Sequence, residues 1–166
     1  MSFLSSVLDF LFPPKCMFCR KVLRIGQKGC CDVCREKLVV DTPPRTGVHF
    51  TTCYAPMRYE GSVRDALRRF KFEDRPGYAT ELGSILAGCI RTHYAGQYDV
   101  ITWTPVSEKR LRQRGYDQAM LLAMAAALAL DDVAVETLKS AGIRRRSPVW
   151  RMPTSAEAMW WVCMRS

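Results

Sequence analysis

A chain of 166 residues, 48% of them hydrophobic, has material for one ordinary core, or for a small core joined to a metal-clamped module. Its net charge of +9 suggests nucleic acid until it is divided: residues 1–50 carry +4, 51–100 +1, 101–143 zero and 144–166 +4. With the excess at the two ends, the pattern describes a solvated basic surface rather than a duplex-binding face.

Residues 1–12 place Phe3, Leu4, Val7, Leu8, Leu11 and Phe12 at helical spacing, and Pro13-Pro14 ends the pattern. A short amphipathic helix docked on the body is expected. It is not expected to act as a signal peptide, because it lacks a basic start and a small-residue cleavage site and contains Asp9. Nothing in the chain reaches the roughly 20 apolar residues of a membrane span, and a cytoplasmic location is expected.

The stretch CMFCRKVLRIGQKGCCDVC carries the strongest signal. Cys16-x-x-Cys19 and Cys31-x-x-Cys34 flank an 11-residue excursion with Gly26 and Gly29. Two such pairs let four sulfurs converge tetrahedrally on one Zn²⁺, and the metal replaces a core too small to hold itself. A disulfide framework lacks a secretory context, and Cys53, Cys89 and Cys163 are scattered. Cys30 is read as a non-ligand beside the site, since using it would turn the second pair into CxxxC. A short helix is expected after Cys34, and the zinc-binding module, with the N-terminal helix, is expected to occupy 1–40.

Residues 41–50, with two prolines and Gly47, read as a linker, and the lone His49 in it reads as a surface residue. Residues 51–55 read as a strand. A helix follows with Ser62 as N-cap and Asp65 completing its capping box, Val63, Ala66, Leu67 and Phe70 on the apolar face, and Arg64, Arg68, Arg69 and Lys71 opposite. After a turn, Tyr78, Leu82, Ile85, Leu86, Cys89 and Ile90 mark a longer helix that should end near Gly96, with Cys89 as a core thiol.

Residues 98–123 crowd polar chemistry into one joint. Asp99 to Trp103 has the β-branched and aromatic content of a strand; a loop with Lys109, Arg110, Arg112 and Arg114 follows; Gly115 allows a close backbone approach, and Tyr116 opens a helix. Strand, basic loop and helix N-terminus suit an anion, above all a phosphate. Leu130-Asp131-Asp132-Val133 reads as a helix end leading into a strand at 133–138, because no glycine-rich phosphate cradle follows it.

The order of these parts resembles the ComF family over residues 3–130. The resemblance rests on the zinc knuckles behind LLDFLFPPKC-like residues, on YEGSVRDALRRFKF, and on TPVSEKRLRQRGYDQAMLLA. Members pair a zinc ribbon with a type I phosphoribosyltransferase-like domain and are associated with natural competence. The resemblance implies that Ser107, Arg114 and Gly115 face the phosphate of a phosphoribosyl pyrophosphate-type ligand, with Tyr116 and Gln118 organising the helix start. Asp117 replaces the family's usual Asn and puts a carboxylate beside that pocket. The family's further CxxC pairs are missing here, so one structural Zn²⁺ is expected. The ribose-phosphate loop is also missing, so no catalytic residue is assigned.

The fold expected is α/β: a small zinc ribbon or knuckle, then, over 51–143, the first part of a phosphoribosyltransferase-like domain. Its implied setting is DNA uptake or nucleotide metabolism, with single-stranded DNA or a competence protein as partner and no membrane. The rival expectations are a zinc-dependent interaction module without catalysis and a non-functional fragment.

The segment 144–166 holds three of the four tryptophans and loses all periodicity. Met159-Trp160-Trp161-Val162 fixes most of its own codons, and one nucleotide earlier those bases spell Val-Val-Gly. A codon choice compatible with residues 147–165 then reads QSRLADADERRGNVVGVYE, close to the family's RRxNVxGxY segment. A truncated chain, frameshifted near 144–147 and ending in an aberrant, disordered tail, is the expectation.

Overall fold

A computed structural model describes residues 13–139 and, as backbone, 162–164. The expected N-terminal helix and the frame change near 144–147 lie outside the described residues. The chain is a mixture of helices and a small antiparallel sheet, beginning with a zinc-ribbon module. In order come α1 (Asp32–Leu38), β1 (Arg45–Gly47), β2 (Phe50–Tyr54), α2 (Gly61–Phe72), α3 (Tyr78–His93), α4 (Glu108–Arg114), α5 (Gln118–Leu130) and β3 (Val162–Met164). The sheet runs β1-β2-β3 with both pairings antiparallel, Gly47 opposite Phe50 and Thr52 opposite Met164. Three residues of the unpatterned C-terminal segment thus pair as a strand.

Helix α2 forms where the periodicity placed it, and Val63, Ala66, Leu67 and Phe70 are all buried. Its start differs from the expected capping box. Glu60 is the N-cap residue, two positions before Ser62, and no side chain caps the helix. Helix α3 buries Leu82, Ile85, Cys89 and Ile90 and stops at His93 rather than near Gly96. Tyr94 ends it by burying its ring and donating its hydroxyl to the Thr52 carbonyl at 3.1 Å, which ties the helix end to β2. Helices α3 and α5 cross closely at Gly83, where an added Cβ would sit 2.4 Å from the Ala125 methyl. Only glycine permits that approach.

The larger of two core clusters among the described residues joins the cysteine-rich segment to the helices. Met17, Phe18 and Leu23 from the cysteine-rich segment share it with Leu67 and Phe70 of α2, Leu82 and Ile85 of α3, and Leu122 of α5. The segment read as a linker is itself structured: Thr42 is buried and donates to the Ala55 carbonyl at 2.6 Å, Val40 N–H donates to the Pro56 carbonyl at 2.9 Å, and Asp41 meets His93 at 3.0 Å. His49 is exposed. Cys53, read as one of the scattered cysteines, is buried in β2 and disulfide-bonded.

Two expectations around residue 100 are corrected. The strand at 99–103 is reduced to a parallel bridge from Ile101 to Ala134, with the Val135 amide donating to the Ile101 carbonyl at 2.8 Å. A parallel strand needs flanking partners to extend, and Ile101 has one bridge only among the described residues. The basic stretch read as a loop is helix α4. Its sequence EKRLRQR consists of strong helix formers, Glu108 and Arg112 pair across one turn at 3.4 Å, and Gly115 closes it in the left-handed region at φ 76°.

Candidate metal centre

The first cysteine pair sits in a tight knuckle. Lys15 and Val22 form an antiparallel bridge, the Cys16 amide donates to the Lys21 carbonyl at 2.8 Å, and Arg20 turns the chain at φ 64°. The second pair sits at the entry to α1, with Cys31 as N-cap residue and Cys34 one turn inside. The two halves are joined by the Met17 amide donating to the Gly29 carbonyl at 2.8 Å. Gly29 holds φ 66°, and a Cβ there would lie 2.8 Å from the Glu81 Cβ, so this corner is closed to side chains on two counts.

The result brings the Sγ atoms of Cys16, Cys19, Cys31 and Cys34 within 4.8 Å of one another, and all four are free thiols. A tetrahedron with Zn–S bonds of about 2.3 Å has S–S edges of about 3.8 Å. The Cys19–Cys31 separation is 3.8 Å. The donor set therefore fits Zn²⁺, and these four residues are its site. Four thiolates fill the coordination sphere, which makes the role structural.

The surroundings treat the thiols differently. Burial opposes ionisation of Cys16, but backbone hydrogen bonds at Cys31, Cys19 and Phe18 outweigh it and bring its pKa from 9.0 down to about 6. Burial, then hydrogen bonding among the other cysteines, raises Cys34. Cys30 is buried with its thiol on the Cys31 carbonyl at 3.3 Å, and burial, reinforced by Cys16 and Glu81, pushes it up to about 12. It stands outside the four-sulfur cluster, as the spacing implied.

Residues 7–48 match the model of the double zinc ribbon domain. No curated protein and no solved structure matches the chain. Among the described residues the zinc ribbon has one four-cysteine cluster.

The ribbon is bolted to the helices by contacts that no motif announces. Arg35 of α1 pairs with Glu81 of α3 at 2.5 Å, and Arg69 of α2 donates to the Met17 carbonyl at 2.7 Å. Arg69, read as part of a solvated basic face, thus turns to the first knuckle. Sequence carried no signal for either pair beyond the residues' charge, since the partners are 46 and 52 positions apart.

The residues read as a phosphate contact are dispersed over two helices. Ser107 is the N-cap residue of α4 without a side-chain cap bond, and Gly115 stands at the other end of that helix. Arg114 lies 4.9 Å over the Phe72 ring. Tyr116 packs against the core and donates its hydroxyl to the Phe70 carbonyl. Gln118 is buried, and its Oε1 has no hydrogen-bond partner. Asp117 is the residue that organises this joint: its carboxylate accepts from Ala119 and Met120 N–H of α5 at 2.9 and 3.0 Å, and from Val106 N–H at 3.0 Å. Those α5 amides are therefore engaged. A separate cavity of about 350 Å³, lined by Arg91, Tyr98, Asp99 and Asp132 among others, shares no residue with the turn between α4 and α5 or with the zinc site. No helix among the described residues is long and apolar enough to cross a membrane.

Proposed function

We propose that the protein is a ComF-like zinc protein, in which the ribbon caps the opening part of a phosphoribosyltransferase-like unit that binds a phosphoribosyl pyrophosphate-type anion without turning it over. The observation that carries this reading is a convergence of cations at the end of α4. Lys71 is depressed by burial and then by Arg114 and Arg110, and Arg114 is depressed by burial and then by Arg110, with Tyr116 and Asp117 opposing this only in part. Cations that lower one another's pKa are relieved by a bound anion. The parallel bridge from Ile101 to Ala134 across α5 supports a βαβ-type unit behind that cluster.

Binding without turnover follows from chemistry. Transfer needs stabilisation of the ribose-phosphate side as well as the pyrophosphate side. Asp117 also commits two α5 amides that an oxyanion would need. In this reading the setting is DNA uptake, with single-stranded DNA or a competence protein as partner, or nucleotide metabolism. Calorimetric titration of the zinc-loaded chain with phosphoribosyl pyrophosphate tests it. Heat that disappears in Arg114→Ala, with no pyrophosphate released, is expected; no heat with ligand in large excess would sink the reading.

A further inference from the structure

We propose that the excursion between the two cysteine pairs, residues 20–28, is a preorganised docking tip for an acidic, aliphatic segment of a partner protein, with Ile25 as its apolar anchor. The proposal rests on the zinc ribbon and not on the phosphoribosyl reading.

Charge selects the class of partner. From Pro13 to Cys31 the chain contains no Asp or Glu, while Arg20, Lys21, Arg24 and Lys28 are all exposed. An acidic surface is complementary to this run. Between those cations stand two aliphatic side chains facing water: Val22 is 58% exposed and Ile25 is fully exposed. Single exposed aliphatics are ordinary on a protein surface. What sets Ile25 apart is the backbone that presents it.

Residues 24–27 form a turn closed from both sides. The Gln27 amide donates to the Arg24 carbonyl at 3.0 Å, and the Arg24 amide donates back to Gln27 Oε1 at 3.1 Å. Gly26 takes φ 87°, the corner such a turn reserves for glycine. Gln27 Nε2 then donates to the Asp32 carboxylate at 2.6 Å, one residue past the ligand Cys31. Beneath the tip, Leu23 is buried in the core and its amide donates to the Pro14 carbonyl at 2.8 Å. The tip is thus locked to the metal site before any partner arrives, which lowers the ordering cost of binding.

The same features choose among polyanions. Recognition of a single-stranded nucleic acid relies on aromatic rings for base stacking. Residues 20–28 contain none, and the neighbouring Phe18 is buried. An exposed branched aliphatic flanked by cations matches instead a protein groove with an apolar pocket and an acidic rim.

The test uses the zinc-loaded full chain and three fluorescent probes: a short synthetic peptide of alternating Glu and Leu, oligo-glutamate of equal length, and an oligo-thymidine strand. The alternating peptide is expected to bind tightest. Ile25→Ser should weaken it about tenfold while leaving oligo-glutamate unchanged. The double variant Arg24→Glu, Lys28→Glu should weaken both peptides. Gln27→Ala should weaken only the alternating peptide, because it frees the turn without touching charge or anchor. One zinc per chain in every variant, counted by native mass spectrometry, verifies that the ribbon is intact. The proposal is overturned if Ile25→Ser leaves the alternating peptide unaffected, or if oligo-thymidine binds more tightly than that peptide.

Discussion

At the scale of single residues, the zinc site separates cysteines that composition treats alike. Cys31 stands in the cluster, whereas its neighbour Cys30 turns its thiol to a backbone carbonyl inside the core. Cys31→Ser is expected to lower the zinc count from one to near zero, and Cys30→Ser to leave it at one; equal loss from both, read by native mass spectrometry, contradicts the assignment. Glu81 makes a second prediction. Burial raises its pKa above 4.5 and Arg35 only partly opposes this. A carboxyl with a raised folded-state pKa contributes stability below its unfolded pKa and loses it as pH rises through the folded value. Glu81→Gln removes that titration and keeps an acceptor for Arg35. Its melting temperature relative to wild type should therefore climb as pH rises from about 4.5 toward neutrality, then level off. A difference flat across that window is the contrary result.

At the scale of elements, the joint between α4 and α5 shows how one carboxylate decides what a helix end does. Asp117 satisfies two N-terminal amides of α5 and holds Val106 on the preceding turn. Asp117→Ala should cost about 1–2 kcal/mol by chemical denaturation, the upper part of the range for a lost N-cap. Asp117→Asn keeps one oxygen acceptor and should cost less. A neutral Asp117→Ala would mean that the cap bonds contribute little. Helix α5 also exposes Met124 and Leu128, so its apolar sequence is not all spent on α3.

At the scale of the whole molecule, the zinc ribbon and the helices share one hydrophobic core and are cross-linked by Arg35–Glu81 and Arg69–Met17. Structural zinc binding supplies roughly 10–16 kcal/mol, comparable to the entire stability of a domain. Chelation should therefore strip hydrogen-exchange protection from α2 and α3 as well as from residues 13–40. Protection lost from the cysteine-rich segment alone would show two independent units.

The four zinc ligands, the exclusion of Cys30 and the buried faces of α2 and α3 were legible in the sequence, because each depends on local spacing: a knuckle or a helical turn. Helix α4 was misread as a loop, because the cluster of basic residues in it obscured a plain run of helix formers. The use of Arg69 on Met17, the pairing of Arg35 with Glu81 and the burial of Thr42 were not legible. The first two join positions far apart in the chain that only the packing of the ribbon onto α2 and α3 brings within reach, and the third joins the segment before β1 to the residue after β2. Local spacing determined what this protein binds as metal. The tertiary structure decided that the metal site holds up the helices, because burial of Met17, Phe18 and Leu23 is completed by side chains that no short-range pattern connects to them.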